Sequence, residues 1–198
     1  MFDSVLEFLR DQLNQHIGRL FGEQATGGGE AMVVFPDGEK LDPISFKLGA
    51  VTLLLINVEQ ENNLRAPDPY AKVASDGTTY RTHPDIRLNL GILFVARYKQ
   101  YEQSLSQLSQ IVQYFQTHRV FDHQNSPSLD TKIEKLVLEL ITLPFDEQNN
   151  IWSALRTTYQ PSVLYRVRMI VFESQPAQAI PPVSGATIDA DHAVRADP

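Results

Sequence analysis

Residues 86–115 read IRLNLGILFVARYKQYEQSLSQLSQIVQYF, and the hydrophobic repeat changes inside that run. Ile86, Leu88, Leu90, Ile92 and Phe94 occupy alternate positions, the two-residue repeat of a strand with one buried face, and Leu93 and Val95 add apolar weight to the other. From Tyr101 the step lengthens. Tyr101, Leu105, Leu108, Val112 and Phe115 stand three or four apart, which predicts a helix with Gln and Ser on its far side. A long strand followed by a helix belongs to a sheet with helices packed on it.

Upstream, Leu6, Leu9, Leu13, Ile17 and Leu20 predict an opening helix, with Asp3 or Ser4 as its cap and Gly22 as its stop. Gly27, Gly28 and Gly29 read as a flexible connection. The apolar run Met32, Val33, Val34, Phe35 meets Pro36, Asp37 and Gly38, whose turn chemistry predicts a strand leaving into a hairpin. Residues 50–58, AVTLLLINV, are apolar on both alternating faces, as a strand covered on both sides requires. Residues 61–84 hold Pro67, Pro69, Gly77 and Pro84 without a sustained period and are expected to form a long contact-making or mobile loop, with Tyr70 and Tyr80 placed to touch a partner.

Downstream, residues 133–143 predict a strand with Leu136, Leu138 and Leu140 on one face and Lys135 and Glu139 on the other. Pro144 suits the first turn of a third helix that buries Ile151, Trp152 and Leu155, with Asp146 and Glu147 meeting the free N–H groups of its start. In the last strand Val163, Tyr165, Val167, Met169 and Val171 share one face, while Arg166 and Arg168 interrupt the other, which must therefore be partly solvated or paired. From Ser174 onward no aromatic residue occurs, and Pro, Ala and Asp dominate. The fold expected is α/β (α+β): a single domain over residues 1–173 with a mixed β-sheet packed by about three α-helices. Residues 174–198 are expected to form a flexible Pro/Ala-rich extension, either ordered by a partner or disordered.

The chain has 198 residues, 42% of them hydrophobic and 21% charged, and a net charge of -7. Such a chain repels a phosphate backbone, so nucleic acid is not expected as a partner. With no cysteine, disulfides, thiol nucleophiles and Cys-ligated metals are excluded. No basic-then-apolar leader and no membrane-length apolar run occur, so direct membrane insertion is not expected and the reading is cytosolic. Gly27–Gly29 lacks the Lys-Ser/Thr of a phosphate loop. His118, Asp122 and His123 have metal-ligating side chains but sit where a helix end and a polar loop are expected, and a His near the last helical carbonyls is favoured there. No catalytic, cofactor-binding or metal residue is assigned, and an enzyme is not expected. The candidate interface residues are Tyr70, Tyr80, Glu139, Arg166 and Arg168.

Several stretches together carry a resemblance. They are Phe8-Leu9 through Gly18-Arg19; Asn57-Val58-Glu59 with Asn63-Leu64-Arg65; Leu88-Asn89-Leu90 with Leu93-Phe94 and Ala96; and Tyr101-Glu102 leading to Val112-Gln113-Tyr114-Phe115-Gln116. The most specific run is the last: Ile133-Glu134-Lys135-Leu136, Glu139-Leu140, Asn149, Ile151-Trp152-Ser153-Ala154-Leu155, and Tyr159-Gln160-Pro161-Ser162-Val163-Leu164-Tyr165-Arg166-Val167-Arg168-Met169. The chain resembles the cap, or tail-terminator, proteins of extracellular contractile injection systems of the anti-feeding-prophage type, over nearly all of residues 1–173. That resemblance implies a non-enzymatic structural protein without cofactors. It implies a homo-oligomeric ring, commonly a hexamer, on the sheath and inner tube at the end away from the baseplate. Such a ring stops polymerisation and holds the extended sheath of a phage-tail-like particle assembled in the bacterial cytoplasm, then released by lysis or retained. Strand addition at an exposed sheet edge is the expected means of engaging sheath arms. The competing reading is a non-enzymatic adaptor linking a particle to another protein or a membrane.

Overall fold

The computed structural model describes residues 1–21, 31–37, 44–61, 71–73, 79–81, 87–171 and 178–179. In chain order its elements are α1 (Phe2–Phe21), β1 (Val33–Val34), β2 (Ala50–Gln60), β3 (Ala71–Val73), β4 (Thr79–Arg81), β5 (Arg87–Arg97), α2 (Tyr101–Thr117), β6 (Val120–Asp122), β7 (Ile133–Ile141), α3 (Phe145–Ala154), β8 (Ser162–Val171) and β9 (Gln178–Ala179). They fall into two units, Met1–Arg65 with Asp85–Ser174, and Ala66–Pro84 with Gln175–Pro198.

The first unit is built on a six-stranded mixed sheet in the order β1-β2-β5-β8-β7-β6, in which β1 runs parallel to β2 and every other pair is antiparallel. The two periods read from residues 86–115 become β5 and α2. In the second unit β3, β4 and β9 form a three-stranded antiparallel sheet that pairs Tyr80 with Lys72 and Ala179. Short polar strands carry no sustained alternation, which is why residues 61–84 read as a loop.

Side chains of alternate parity leave the large sheet on opposite faces. On the first face, α1 presents Val5, Phe8, Leu9, Leu13 and Ile17, and α2 presents Leu108, Ile111, Tyr114 and Phe115, to Leu53, Leu90, Ile92, Phe94, Leu136, Leu138, Tyr165 and Val167. Phe94, Phe115 and Tyr165 meet with ring centroids 5.0–5.9 Å apart, and burial pushes the Tyr165 hydroxyl pKa up to about 12. On the second face a smaller cluster joins Ile44, Phe46, Leu93, Val95 and Trp152. Among the described residues, twenty-four buried residues in the first-face cluster against five in the second, at about 1.5–3 kcal/mol per large apolar side chain, put most of the stability on the side covered by α1 and α2.

Several expectations are corrected. The strand around Val33 is not a hairpin partner of β2; it lies parallel to it, with the Val51 N–H bonded to the Met32 carbonyl at 2.8 Å. The buried stripe of α2 is rotated: Ser104 and Gln107 are inside, while Tyr101 and Leu105 are 64% and 44% exposed. Two overlapping apolar stripes share Leu108 and Phe115, and the one that also brings in Ile111 and the large Tyr114 ring wins. Ser104 follows it inward, its hydroxyl accepting from the Tyr98 N–H at 3.2 Å. Leu140 and Leu20 are exposed rather than buried. Pro144 is the N-cap of α3, one position before its first turn, and Asp146 and Glu147 lie in that turn.

Candidate interaction surface

Strand register places the polar residues of the second face in rows. Leu54, Leu93, Leu164 and Ile141 form one row across β2, β5, β8 and β7; Asn57, Gly91, Arg166 and Glu139 form the next; Glu59, Asn89, Arg168 and Val137 the one after. Trp152 and its helix cover the apolar rows. The polar rows remain open: Asn57, Glu59 and Arg168 are exposed, and Arg166, Glu139, Asn89 and Gly91 are half-buried. A groove of about 620 Å³ runs along the boundary, lined by Leu54, Ile56 and Leu164 of the sheet, by Ile151 of α3 and Leu155 at its C-cap, and by the charged residues Arg166, Glu59 and Glu147.

Charge on this platform is uneven. Glu139 Oε2 accepts a 3.0 Å hydrogen bond from the Arg168 guanidinium and stands 3.9 Å from Arg166 Nη1, so two cations share one carboxylate oxygen. At the β2 end Asn57 donates to Glu59 at 2.8 Å, and Asn89 donates to Glu61 at 3.1 Å. Three predicted interface residues, Glu139, Arg166 and Arg168, are thus brought together. Tyr80 lies in β4 of the other unit. Tyr70 lies outside the described residues, as does most of the 174–198 extension. Asn57, Glu59, Asn89 and Gly91 were not predicted as site residues. Their signal was the interruption of two otherwise apolar strands at positions of one parity.

The two ends of the sheet are closed in the same way. At β1, the Asn14 carboxamide donates to the Val33 carbonyl and accepts from the Val33 N–H, both at 2.9 Å. At β6, Asn125 donates to the Val120 carbonyl and accepts from the Asp122 N–H, both at 3.0 Å. Each amide occupies the place a further strand would take. Beyond Thr52, β1 no longer flanks β2, so at Asn57–Gln60 its one strand neighbour among the described residues is β5.

The His118–His123 segment is structural in geometry. His118 caps α2, with Nδ1 3.1 Å from the Tyr114 carbonyl and its ring stacked on Tyr114 at 4.4 Å. The Asp122 carboxylate accepts from the N–H groups of Gln124 and Asn125. Among the described residues no group of three His, Asp or Glu side chains is arranged to hold a metal, and no helix is long and apolar enough to cross a membrane.

The Pvc16 N-terminal domain family matches residues 4–185, which takes in both units. The chain belongs to that family. Among solved structures this Pvc16-type domain is similar to the PVC sheath/tube terminator of an extracellular contractile injection system in its extended state. The TM-score is 0.55 at 12% identity, over 93% of this chain and 64% of that one. It is also similar to the anti-feeding prophage cap, a tube-terminating cap, with a TM-score of 0.47 at 13% identity over 70% of this chain and 47% of the other. At these identities the first likeness shows a shared fold, and the domain spans a little under two thirds of that terminator's length. No curated protein matches the chain.

Proposed function

We propose that this Pvc16-type chain is the structural cap, or tail terminator, of a contractile injection system: a non-enzymatic ring seated on the distal end of sheath and inner tube that stops polymerisation and holds the sheath extended. The observation that carries this reading is the match of the Pvc16 domain to residues 4–185, in the fold of a sheath/tube terminator. The closed sheet ends support it. A subunit that ends a polymer must not offer the edge on which another copy adds, and Asn14 and Asn125 fill both end positions of the sheet. Among the described residues, the edge left for a sheath strand is then Asn57–Gln60 of β2. Six copies closing on themselves, in a particle assembled in the bacterial cytoplasm, complete the reading.

Electron microscopy of the purified protein, alone and mixed with sheathed particles, tests it. Closed rings on one particle end are the expected result. A monodisperse protein that ignores particle ends would overturn the proposal.

A further inference from the structure

Between the later turns of α1, the end of α2 and β6 lies a cleft of about 490 Å³. His16 and Arg19 of α1 line it, with His118 at the C-cap of α2 and Arg119 after it, and no carboxylate is among its described lining residues. The chain as a whole is acidic, with 24 Asp and Glu against 17 Lys and Arg. Among the described residues neither guanidinium has a carboxylate partner. The acids of the flanking elements are engaged elsewhere: Asp11 with Arg10, and Asp122 with the N–H groups of Gln124 and Asn125. The helix ends account for part of the cluster. Each presents about half an elementary negative charge, which Arg19 in the last turn of α1 and His118, with Nδ1 3.1 Å from the Tyr114 carbonyl, can answer. Arg119 lies beyond the cap, and His16 stands more than a turn inside α1 against the Tyr114 ring, so neither is explained by a helix end. The cluster also works against itself. Burial lowers the His16 pKa, and His118 and Arg19 lower it further. Like charges gathered without a counter-charge cost free energy, and an anion is the partner that removes the cost.

We propose that this cleft binds a doubly charged tetrahedral oxyanion of the sulfate or phosphate type, held by His16 and Arg19 of α1 together with His118 and Arg119. The cations come from two separate elements, so the ligand must offer oxygens in more than one direction. A tetrahedral anion does so, whereas a single carboxylate has one planar edge. His118 gives its Nδ1 to the Tyr114 carbonyl, so only its protonated ring offers an Nε2–H, and a bound anion favours that form as it favours protonated His16. The bound ion ties the end of α1 to the connection between α2 and β6. The cleft shares no residue with the β2 edge, and the inference stands independently of the cap reading.

Sodium sulfate titrated into the full chain, against sodium chloride at matched ionic strength, tests it. Histidine ring resonances are followed by NMR and assigned with His16→Gln and His118→Gln. Saturable shifts at His16 and His118 are expected, with His123, which does not line the cleft, unmoved. The His16 pKa should rise with sulfate present. Sulfate keeps both charges throughout the titration, so tighter binding below the ordinary histidine pKa than above it comes from the protein. Arg19→Gln and Arg119→Gln, both at exposed positions, should each weaken binding roughly tenfold, the effect of losing one charge-assisted contact. A phosphate monoester such as phenyl phosphate, compared with inorganic phosphate, distinguishes the two sources of the ligand: tighter binding of the ester assigns the site to a phosphoryl group on a larger molecule, and weaker binding assigns it to the free ion. Shifts that do not saturate, shifts of equal size at His123, or sulfate binding unchanged in both folded arginine variants would each overturn the site. The titration of the unsubstituted chain decides the matter even where a variant fails to fold.

Discussion

The side chain of Asn14 on α1 forms both hydrogen bonds that a neighbouring strand would make to Val33, which is fully buried. A helix residue thus ends the sheet, and α1 is fixed by two polar contacts as well as by its apolar stripe. Replacing Asn14 with Ala leaves a buried N–H and a buried C=O without partners, at roughly 1–3 kcal/mol each. Urea denaturation should show Asn14→Ala less stable by about 2–4 kcal/mol. Asn14→Asp should lose most of the same energy, because a carboxylate accepts from the Val33 N–H but opposes its carbonyl. An Asn14→Asp variant as stable as wild type would show that the carbonyl bond is dispensable.

Asn125 does the same at the opposite end in a more exposed setting. Water can replace its bonds, so Asn125→Ala should cost only about 0.5–1.5 kcal/mol. The variant also bares the β6 edge, and concentration-dependent self-association by sedimentation velocity is the expected second effect. A variant that stays monodisperse at every concentration would argue that the three-residue β6 is too short to recruit a strand.

The core was legible in the sequence because most of it is written in period: β5, β7, β8 and the three helices follow from alternation or three-four spacing, and β2 from an apolar run on both faces. What stayed hidden depends on contacts distant in sequence. Nothing around Asn14 shows that it will end a sheet nineteen residues later, since Asn in a helix has no local mark of its partner. The β6 strand hides because three residues cannot display a period. Leu105 and Leu108 fit the same spacing, and only the packing of Tyr114 and Phe115 decides which stripe turns inward. Of the open platform, Arg166 and Arg168 were visible as charges inside a strand. The register that sets Asn57 and Gly91 beside them was not.

Gly91 lies across from the β-bulge between Leu55 and Asn57, and a β-carbon there would stand 3.3 Å from Asn57 Cβ and 3.4 Å from Ile56 Cγ1. Ile56 can yield by rotating, but Asn57 Cβ is tied to the bulged backbone. For Gly91→Ala the reduced freedom of the unfolded chain contributes about 0.4–1 kcal/mol in favour, which offsets the tight contact and leaves stability nearly unchanged. Gly91→Val adds two methyl groups against the same backbone and should cost about 1–3 kcal/mol. Denaturation midpoints of the two variants check this. A stable Val variant would mean that the bulge shifts freely.

Trp152 is the sole buried side chain of α3 and packs edge-on against Phe46 at 6.0 Å and Tyr159 at 5.5 Å. Trp152→Ala should cost about 3–5 kcal/mol if α3 unfolds with the domain. The second-face cluster holds few residues, so α3 is expected to detach first. Hydrogen exchange of α3 should then rise while β5 and β8 stay protected, and Trp152→Phe should restore most of that protection. Uniform loss of protection across the sheet would show that the two faces fold as one cooperative unit.

His16 of α1 lies 4.6 Å from the Tyr114 ring, and His118 stacks on the same ring. Burial lowers the His16 pKa below the ordinary histidine value, and the nearby positive charges of His118 and Arg19 lower it further. With the folded value below the unfolded one, the unfolded chain binds more protons in that window. Stability from neutral His16 is then complete above about pH 6.5 and falls as the pH drops below it. The thermal midpoint should decline between about pH 7 and pH 5, before the carboxylates lowered by hydrogen bonds, Asp3 and Asp130, begin to protonate. His16→Gln removes the titrating group from this cluster and should flatten that part of the profile. An unchanged slope in the variant would assign the acid sensitivity to another group.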